Sequence, residues 1–177
     1  DWAIELPEMP IKEGETSVGS FSGKIDDLQG LFNLNNLGNP KNGKTIYWAQ
    51  KLLTDLANTH QIPSIFVLSI SDWIDKDAIL TSPDSAEADY YLTQTKPYLA
   101  ANTPLVDARE LYLVRYDSFD PEAKTKALNA LLTEVTALPK ATKININTAP
   151  ESLLKALLPT QAATIMTTRQ QQPYDQN

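Results

Sequence analysis

Six acidic side chains lie within residues 72–89, and Lys76 is the single basic residue among them, which gives this segment a local charge of −5. The acids are Asp72, Asp75, Asp77, Asp84, Glu87 and Asp89. Calcium takes roughly six to eight oxygen ligands, and the Asp-x-x-Asp-x-Asp spacing resembles half of such a site, without the glycine and final glutamate of an EF-hand. A solvated acidic loop is the alternative, although so many neighbouring carboxylates repel one another without counter-charge.

Residues for familiar enzyme chemistry are scarce. His60 is the single histidine and the chain has no cysteine, so any Ser–His–Asp triad would need His60, and multi-histidine zinc sites are excluded. His60 follows an amphipathic segment, which favours a surface or helix-capping histidine. The acids could form a glycosidase pair, but nothing else indicates a sugar cleft. We therefore predict a protein that is not an enzyme and has no catalytic residues.

Charge and hydropathy limit the partners. The net charge of −7 argues against wrapping a phosphate backbone. No apolar run approaches the roughly 18 to 20 residues of a membrane span, and no basic stretch precedes an apolar one as in a signal peptide. The chain is therefore expected to be soluble, or to have any membrane anchor upstream of Asp1.

The spacing of apolar residues and caps predicts few strands and several helices. The first 30 residues, rich in proline and glycine, predict loops and short strands with a turn near residues 22–23. Asp107 with Glu110, and Thr148 with Glu151, have capping-box spacing. Helices are predicted over residues 44–58, 63–73, 107–116, 120–138, 151–158 and 161–169, and a short helix or turn over residues 90–98.

The sequence contains an internal echo. Residues 32–36 (FNLNN) and 144–148 (ININT) share an apolar–Asn–apolar–Asn–polar order, and each is followed by helices and then by a proline-containing stretch at residues 102–107 or 171–175. We interpret this as a divergent duplication of a small helical module, with chance similarity of asparagine-rich helix starts as the alternative.

Several longer stretches resemble the K-type minor pseudopilin family of type II secretion systems (general secretion pathway protein K). They are KIDDLQGLFNLNNL at 24–37, DWIDKD at 72–77, AEADYY at 86–91, PYLAAN at 97–102, ELYLVR at 110–115 and ININTAP at 144–150. The resemblance implies an α+β fold, in which a pilin-like β-strand portion carries a large, mainly α-helical insertion with two helix-hairpin-helix or SAM-like units. The implied divisions are residues 1–31 (incomplete pilin-like strands), 32–143 (helical unit 1, with the acidic loop 72–89) and 144–177 (truncated helical unit 2).

The resemblance also implies a mechanical function. Family members join I- and J-type minor pseudopilins at the tip of the pseudopilus, where they aid assembly and protein export and contact secreted substrate or the outer-membrane channel. The full-length protein would be held in the inner membrane by one N-terminal helix, absent from this chain, with the present part in the periplasm. The family is associated with calcium, and the matching positions are Asp72, Asp75, Asp77, Glu87 and Asp89. Ala88 stands where the family often has a further acid, which leaves the ligand count open.

Two alternatives remain from the sequence. Residues 144–169 resemble a helix-hairpin-helix nucleic-acid-binding module, but the hairpin at residues 157–160 has no glycine and residues 140–177 carry a charge of only +2. Binding that weakens strongly with salt would be its mark. The other alternative is a calcium-stabilised binding module unrelated to secretion. We expect no nucleic-acid partner.

Overall fold

A computed structural model of the chain describes residues 5–38, 46–118 and 120–175. Short 3-10 helices cover Leu28–Gly30, Leu34–Asn36 and Ala108–Tyr112. The strands are β1 (Glu5–Glu13), β2 (Thr16–Lys24), β3 (Phe32–Asn33) and β4 (Val135–Thr136). The α-helices are α1 (Tyr47–Thr59), α2 (Ser64–Ile74), α3 (Ala88–Leu92), α4 (Pro121–Leu132), α5 (Glu151–Leu157) and α6 (Ala162–Gln171). The predicted α+β class is confirmed, and no helix of the described ranges is long and apolar enough to cross a bilayer.

Strands β1 and β2 form an antiparallel hairpin that is a sheet of its own. Its turn lies at Gly14, which has φ of +64°, so the predicted turn near residues 22–23 is wrong and β2 runs through that point. Glycine reaches positive φ without the steric penalty of a Cβ atom, which explains why the chain reverses there. The apolar side chains of Met9, Ile11, Val18 and Phe21 are about half exposed.

The core of helical unit 1 is built where α1 packs against α2. Ala49, Leu52, Leu53 and Leu56 recur at helical spacing and are buried on one face of α1. The predicted helix over residues 44–58 is confirmed from Tyr47 onward, while residues 39–45 lie outside the described part of the chain.

The sequence places helix α4 correctly at its start but not at its end. Asp120 caps the helix through hydrogen bonds to the backbone of Glu122 and Ala123, as predicted. The helix stops at Leu132 rather than at Leu138, because residues 135–136 extend to pair with β3 in a parallel ladder. This pairing joins the two ends of unit 1.

The two asparagine motifs make the same hydrogen bonds. Asn33 accepts from the backbone N–H of Asn35, and Asn145 accepts from that of Asn147. Asn35 then pairs with both backbone groups of Leu105 (2.9 and 2.8 Å), and Asn147 with both of Tyr174 (2.9 and 2.8 Å). Leu105 follows Pro104 and Tyr174 follows Pro173, so the repeated sequence motif corresponds to a repeated structure. We call it the asparagine clamp: the side-chain amide of an asparagine bonds both backbone groups of the residue after a proline.

A polar junction connects residues 27–30 to the second unit. The carboxylate of Asp27 accepts from the Asn145 amide (2.8 Å), the Thr148 hydroxyl (2.7 Å) and the Gln29 backbone N–H (2.9 Å). The capping box predicted for Thr148 and Glu151 is therefore wrong: the Thr148 hydroxyl is used by Asp27, and helix α5 begins after Pro150 without a side-chain cap. Local spacing could not reveal a partner 121 residues away.

The capping box predicted for Asp107 and Glu110 is confirmed. The Asp107 side chain accepts from the backbone of Glu110, and the Glu110 side chain accepts from the backbone N–H of Asp107. It opens a 3-10 helix, Ala108–Tyr112, instead of a helix reaching residue 116. A short helix or turn is predicted for residues 90–98, and the structure has the short helix α3 over Ala88–Leu92, which begins and ends earlier.

Candidate metal centre

The last turn of α2 carries the first two predicted metal ligands. Asp72 is fully buried, and its carboxylate accepts from the backbone N–H of Thr81 (3.0 Å) and from the hydroxyl of Ser85. Asp75 follows the final helical residue and is 9% exposed. The backbone N–H of Asp75 donates to the Ser71 carbonyl, so the packed end of α2 positions both residues.

Several oxygen atoms of this region have no hydrogen-bond partner among the described residues. They are Oδ1 of Asp75 and both carboxylate oxygens of Glu87, which is 6% exposed. A buried carboxylate without a partner loses its hydration without compensation. Such atoms in a native structure take an ordered water molecule or an ion as their partner, and a cation suits hard anionic oxygen.

Burial and mutual repulsion alter the acidity of these groups. Loss of water is the largest cause that raises the pKa of Asp75 to about 7, followed by the charges of Asp77 and Asp72. Burial also raises the pKa of Glu87 to about 7, with further contributions from Asp72, Asp75 and Asp77. We call these four residues the acidic cluster, because each is close enough to affect the ionisation of another.

The remaining acids of the segment lie outside the acidic cluster. Asp89 is exposed in the first turn of α3, and Asp84 is exposed and acts electrostatically on Arg115. Asp77 is exposed as well, but it belongs to the cluster through its charge, and its carboxylate accepts from the backbone of Ile79 (2.9 Å). The acidic cluster therefore contains four of the five predicted ligand positions, and metal binding at all five positions stays a prediction.

The acidic cluster fits calcium by its chemistry rather than by preformed geometry. Over residues 5–38, 46–118 and 120–175, no three histidine or carboxylate side chains converge as a set of metal ligands. Electrostatic repulsion acts over longer distances than coordination bonds, so the carboxylates affect one another's pKa without sharing a common ligand point. An ion that binds here would have to draw the carboxylates inward, which flexible calcium coordination tolerates.

Sequence reasoning missed the residues that hold the segment in place. Arg115 donates to the backbone carbonyl of Ser85 (3.1 Å), pairs with Asp117 and lies 4.6 Å from the centre of the Tyr90 ring. The hydroxyl of Ser85 in turn donates a hydrogen bond to the Asp72 carboxylate. Arg115 and Ser85 are 30 residues apart, so no local spacing could indicate the contact.

The side chains weighed for other functions have structural partners. His60 ends helix α1, as the capping interpretation predicts, and its Nε2 atom lies 3.0 Å from the carboxylate of buried Glu134. Arg169 donates to the backbone carbonyls of Ile146 and Ala149, at 2.9 and 2.6 Å. Its guanidinium is therefore engaged within unit 2 rather than extended toward a phosphate.

Comparison with known proteins places these features in a family. Residues 30–140 match the protein family described as "Type II secretion system (T2SS), protein K". The type II secretion system protein K of Pseudomonas aeruginosa is 30% identical over 95% of this chain and 49% of its own length. The protein of the same name from Aeromonas hydrophila is 32% identical over 65% of this chain and 37% of its own. This chain thus spans at most about half of these relatives.

Similarity also extends to a solved structure. One chain of the crystal structure of the GspK-GspI-GspJ complex from the enterotoxigenic Escherichia coli type 2 secretion system covers 98% of this chain, with a TM-score of 0.74 and 28% sequence identity. The match takes in 59% of that other chain. The family match covers more than half of the present sequence and the fold agrees, so the chain belongs to the type II secretion system protein K family.

Proposed function

We propose that this chain is the periplasmic, mainly helical part of a minor pseudopilin, which joins I- and J-type minor pseudopilins in a complex at the pseudopilus tip and aids pseudopilus assembly and protein export. The observation that carries the proposal is the similarity of almost the whole chain to one chain of a GspK-GspI-GspJ complex. The function is mechanical docking, with no catalysis. The complete protein is anchored in the inner membrane by one N-terminal helix, and secreted substrate or the outer-membrane channel is a further contact.

The exposed surface of the chain suits docking. Hairpin β1–β2 presents Met9, Ile11, Val18 and Phe21 about half exposed, on a sheet that consists of two strands. Contiguous exposed apolar side chains are typical of surfaces that bind another protein. An isolated hairpin is also marginally stable, so a partner that covers it would stabilise it as well.

Size-exclusion chromatography with mass detection tests the docking proposal. The chain is mixed with the I- and J-type pseudopilin ectodomains of the same system in calcium-containing buffer, and a stable ternary peak is expected. Phe21→Glu should weaken this peak, because it places a charge on the hairpin. Leu99→Glu, at an exposed leucine of unit 1, is the matched control and should leave the peak unchanged. Separate elution of all three proteins, repeated with the complete ectodomain, would contradict the assembly function.

The acidic cluster holds a calcium ion in this proposal. Asp72, Asp75, Asp77 and Glu87 supply the carboxylates, and exposed Asp89 is the predicted fifth ligand. The support is the set of buried, unpartnered oxygens of Asp75 and Glu87. When bound, calcium supplies the counter-charge that the cluster lacks, so its function is structural: it holds residues 72–89 against their own repulsion.

Thermal melting with and without a chelator tests the calcium site. A ligand present at about 100 times its Kd stabilises the folded state by about 2.7 kcal/mol, which corresponds to a rise in Tm of about 5 to 10 °C for a chain of this size. Glu87→Gln should remove most of the rise. Asp84→Asn removes the same charge from an exposed position of the same segment and should retain it. An unchanged Tm of the unmodified chain on adding calcium would rule out a structural ion.

A further inference from the structure

Asn102 has two unfavourable features that unit 1 does not otherwise explain. Its φ angle is +45°, and within the described ranges only Gln61 shares a positive φ among residues other than glycine. In addition, its side-chain oxygen Oδ1 is buried and has no hydrogen-bond partner. Strained backbone and unpaired polar atoms concentrate at functional sites, where a bound ligand compensates for them.

The hydrogen bonds of Asn102 bracket the acidic cluster. Its backbone N–H donates to the carbonyl of Trp73 (2.9 Å), and its side-chain Nδ2 donates to the carbonyl of Asp77 (3.1 Å). Asp75, whose Oδ1 is also buried and unpartnered, lies midway between these two acceptors in the chain. Asn102 therefore spans the turn that carries the central carboxylate.

The orientation of the Asn102 amide follows from its contact with Asp77. The amide could be rotated by half a turn, but its oxygen would then face the Asp77 carbonyl oxygen and the two would repel. The Nδ2 atom must therefore face Asp77, and Oδ1 must point elsewhere. The positive φ is compatible with asparagine, which tolerates the left-handed region better than most residues do.

We propose that the Oδ1 atom of Asn102 is an additional, neutral ligand of the calcium ion held by the acidic cluster. Calcium accepts side-chain amide oxygens as readily as carboxylates. A neutral oxygen adds coordination without adding to the repulsion among Asp72, Asp75, Asp77 and Glu87. This inference rests on the proposed calcium site. Asn102 would add a neutral amide oxygen to the carboxylate oxygens of the acidic cluster.

Calcium titration calorimetry on the 177-residue chain tests the ligand. Asn102→Gly keeps the positive φ and the backbone bond to Trp73 but removes the whole amide, both Oδ1 and the Nδ2 bond to Asp77, so its affinity should fall about tenfold or more. Asn102→Asp keeps a ligand oxygen but places its second oxygen against the Asp77 carbonyl and adds a charge, so its affinity should fall less than that of Asn102→Gly. Gln61→Gly introduces glycine at the other positive-φ position and is the control, with unchanged affinity expected. Tm in chelator reports whether each variant is folded.

Terbium luminescence gives a second readout that separates a ligand from a residue that only positions the loop. Lifetimes in H2O and D2O count the water molecules on bound Tb³⁺, and Asn102→Gly should gain about one, because water fills the vacated position. Unchanged hydration or an unchanged affinity of Asn102→Gly would overturn the ligand assignment. If the unmodified chain binds no calcium, the calcium site itself fails, and that result is distinguishable because it does not depend on the variants.

Discussion

Buried carboxylates whose pKa is raised make the metal-free protein sensitive to pH. The carboxyls of Asp75 and Glu87 titrate at about 7 in the folded chain and near their ordinary values of about 4 in the unfolded chain. Between these limits the folded state holds more protons than the unfolded state does. The free energy of unfolding therefore falls as pH rises from about 4 to about 7, and this contribution is constant above about 7.

In the presence of a chelator, Tm should therefore fall as the buffer is changed from pH 5 to pH 8. Glu87→Gln should reduce the slope, since glutamine carries no titrating proton, whereas Asp84→Asn should preserve it. A slope that is the same in both variants would show that general repulsion in this acidic chain, rather than the acidic cluster, causes the effect. Differential scanning calorimetry across the pH series measures it.

At this scale the sequence predicted part of the acidic cluster, and metal binding there stays a prediction. The Asp-x-x-Asp-x-Asp spacing of Asp72, Asp75 and Asp77 predicted that these acids act together, and the structure places them at and just beyond the end of α2. Glu87 was one of the six acids counted in the segment, and the resemblance to the family then placed it among the implied ligands. The contacts of Arg115 and Asn102 could not be predicted, since they cross 30 and 25 residues of chain and depend on how α2 packs.

Among the elements, the short 3-10 helix Leu28–Gly30 packs against a distant segment through a close contact between Gly30 and Thr148. A Cβ atom on Gly30 would lie 2.7 Å from the Thr148 hydroxyl and 3.0 Å from the Thr148 backbone carbon. Backbone atoms cannot move aside as a flexible side chain can, so any larger residue must separate the two segments. Glycine is needed here for space rather than for its backbone angles.

Gly30→Ala should therefore destabilise the chain by about 1 to 3 kcal/mol, as overpacking of a closed contact does, and lower Tm by several degrees. Gly19→Ala is the matched control, because no atom lies within 4 Å of its Cβ position and β2 is exposed. Urea denaturation of both variants measures the difference. Equal free energies of unfolding for Gly30→Ala and Gly19→Ala would mean that residues 28–30 can move away from residues 145–148 with little loss of stability.

The elements also show which local patterns are reliable. The caps at Asp107 and Asp120 were predictable because both partners of each hydrogen bond lie within four residues. The end of α4 was not, because the pairing of β4 with β3 connects positions about 100 residues apart. The capping box predicted at Thr148 was wrong for the same reason, because the Thr148 hydroxyl donates to the distant Asp27 carboxylate.

Across the whole molecule, the asparagine clamp occurs twice, at two positions of unequal burial. Asn35 is buried and binds Leu105 and the Leu138 carbonyl (3.0 Å), whereas Asn147 is half-buried and binds Tyr174 alone. Leaving buried backbone groups without partners is more costly than leaving groups that water can reach.

Asn35→Ala should accordingly reduce the free energy of unfolding by about 2 to 4 kcal/mol, and Asn147→Ala by about 1 kcal/mol. Each substitution serves as the control for the other, because both remove the same amide from the same motif. Chemical denaturation with matched m-values gives the comparison. Equal losses would show that the two clamps are energetically equivalent despite their different burial.

The mixed fold and the repeated motif could be predicted at this scale. The fold follows from local patterns of apolar residues and caps, and the repeat follows from the spacing of the asparagines. The hairpin could be predicted only as strands. Its turn was misplaced because Ser22–Gly23 and Gly14–Glu15 offer similar local signals, and the pairing of β1 with β2 decides between them.

The junction at Asp27 also determines how a pulling force would travel through the molecule. Tension applied to β2 reaches residues 27–29 first, and these are joined to unit 2 by the bonds of Asp27 and by the Asn145 N–H to Gln29 carbonyl bond (2.8 Å). Several hydrogen bonds loaded together resist more than the same bonds broken in turn. Part of the load therefore passes directly between segments 115 or more residues apart, and residues 72–89 lie outside this route, so a strained hairpin need not disturb the acidic cluster.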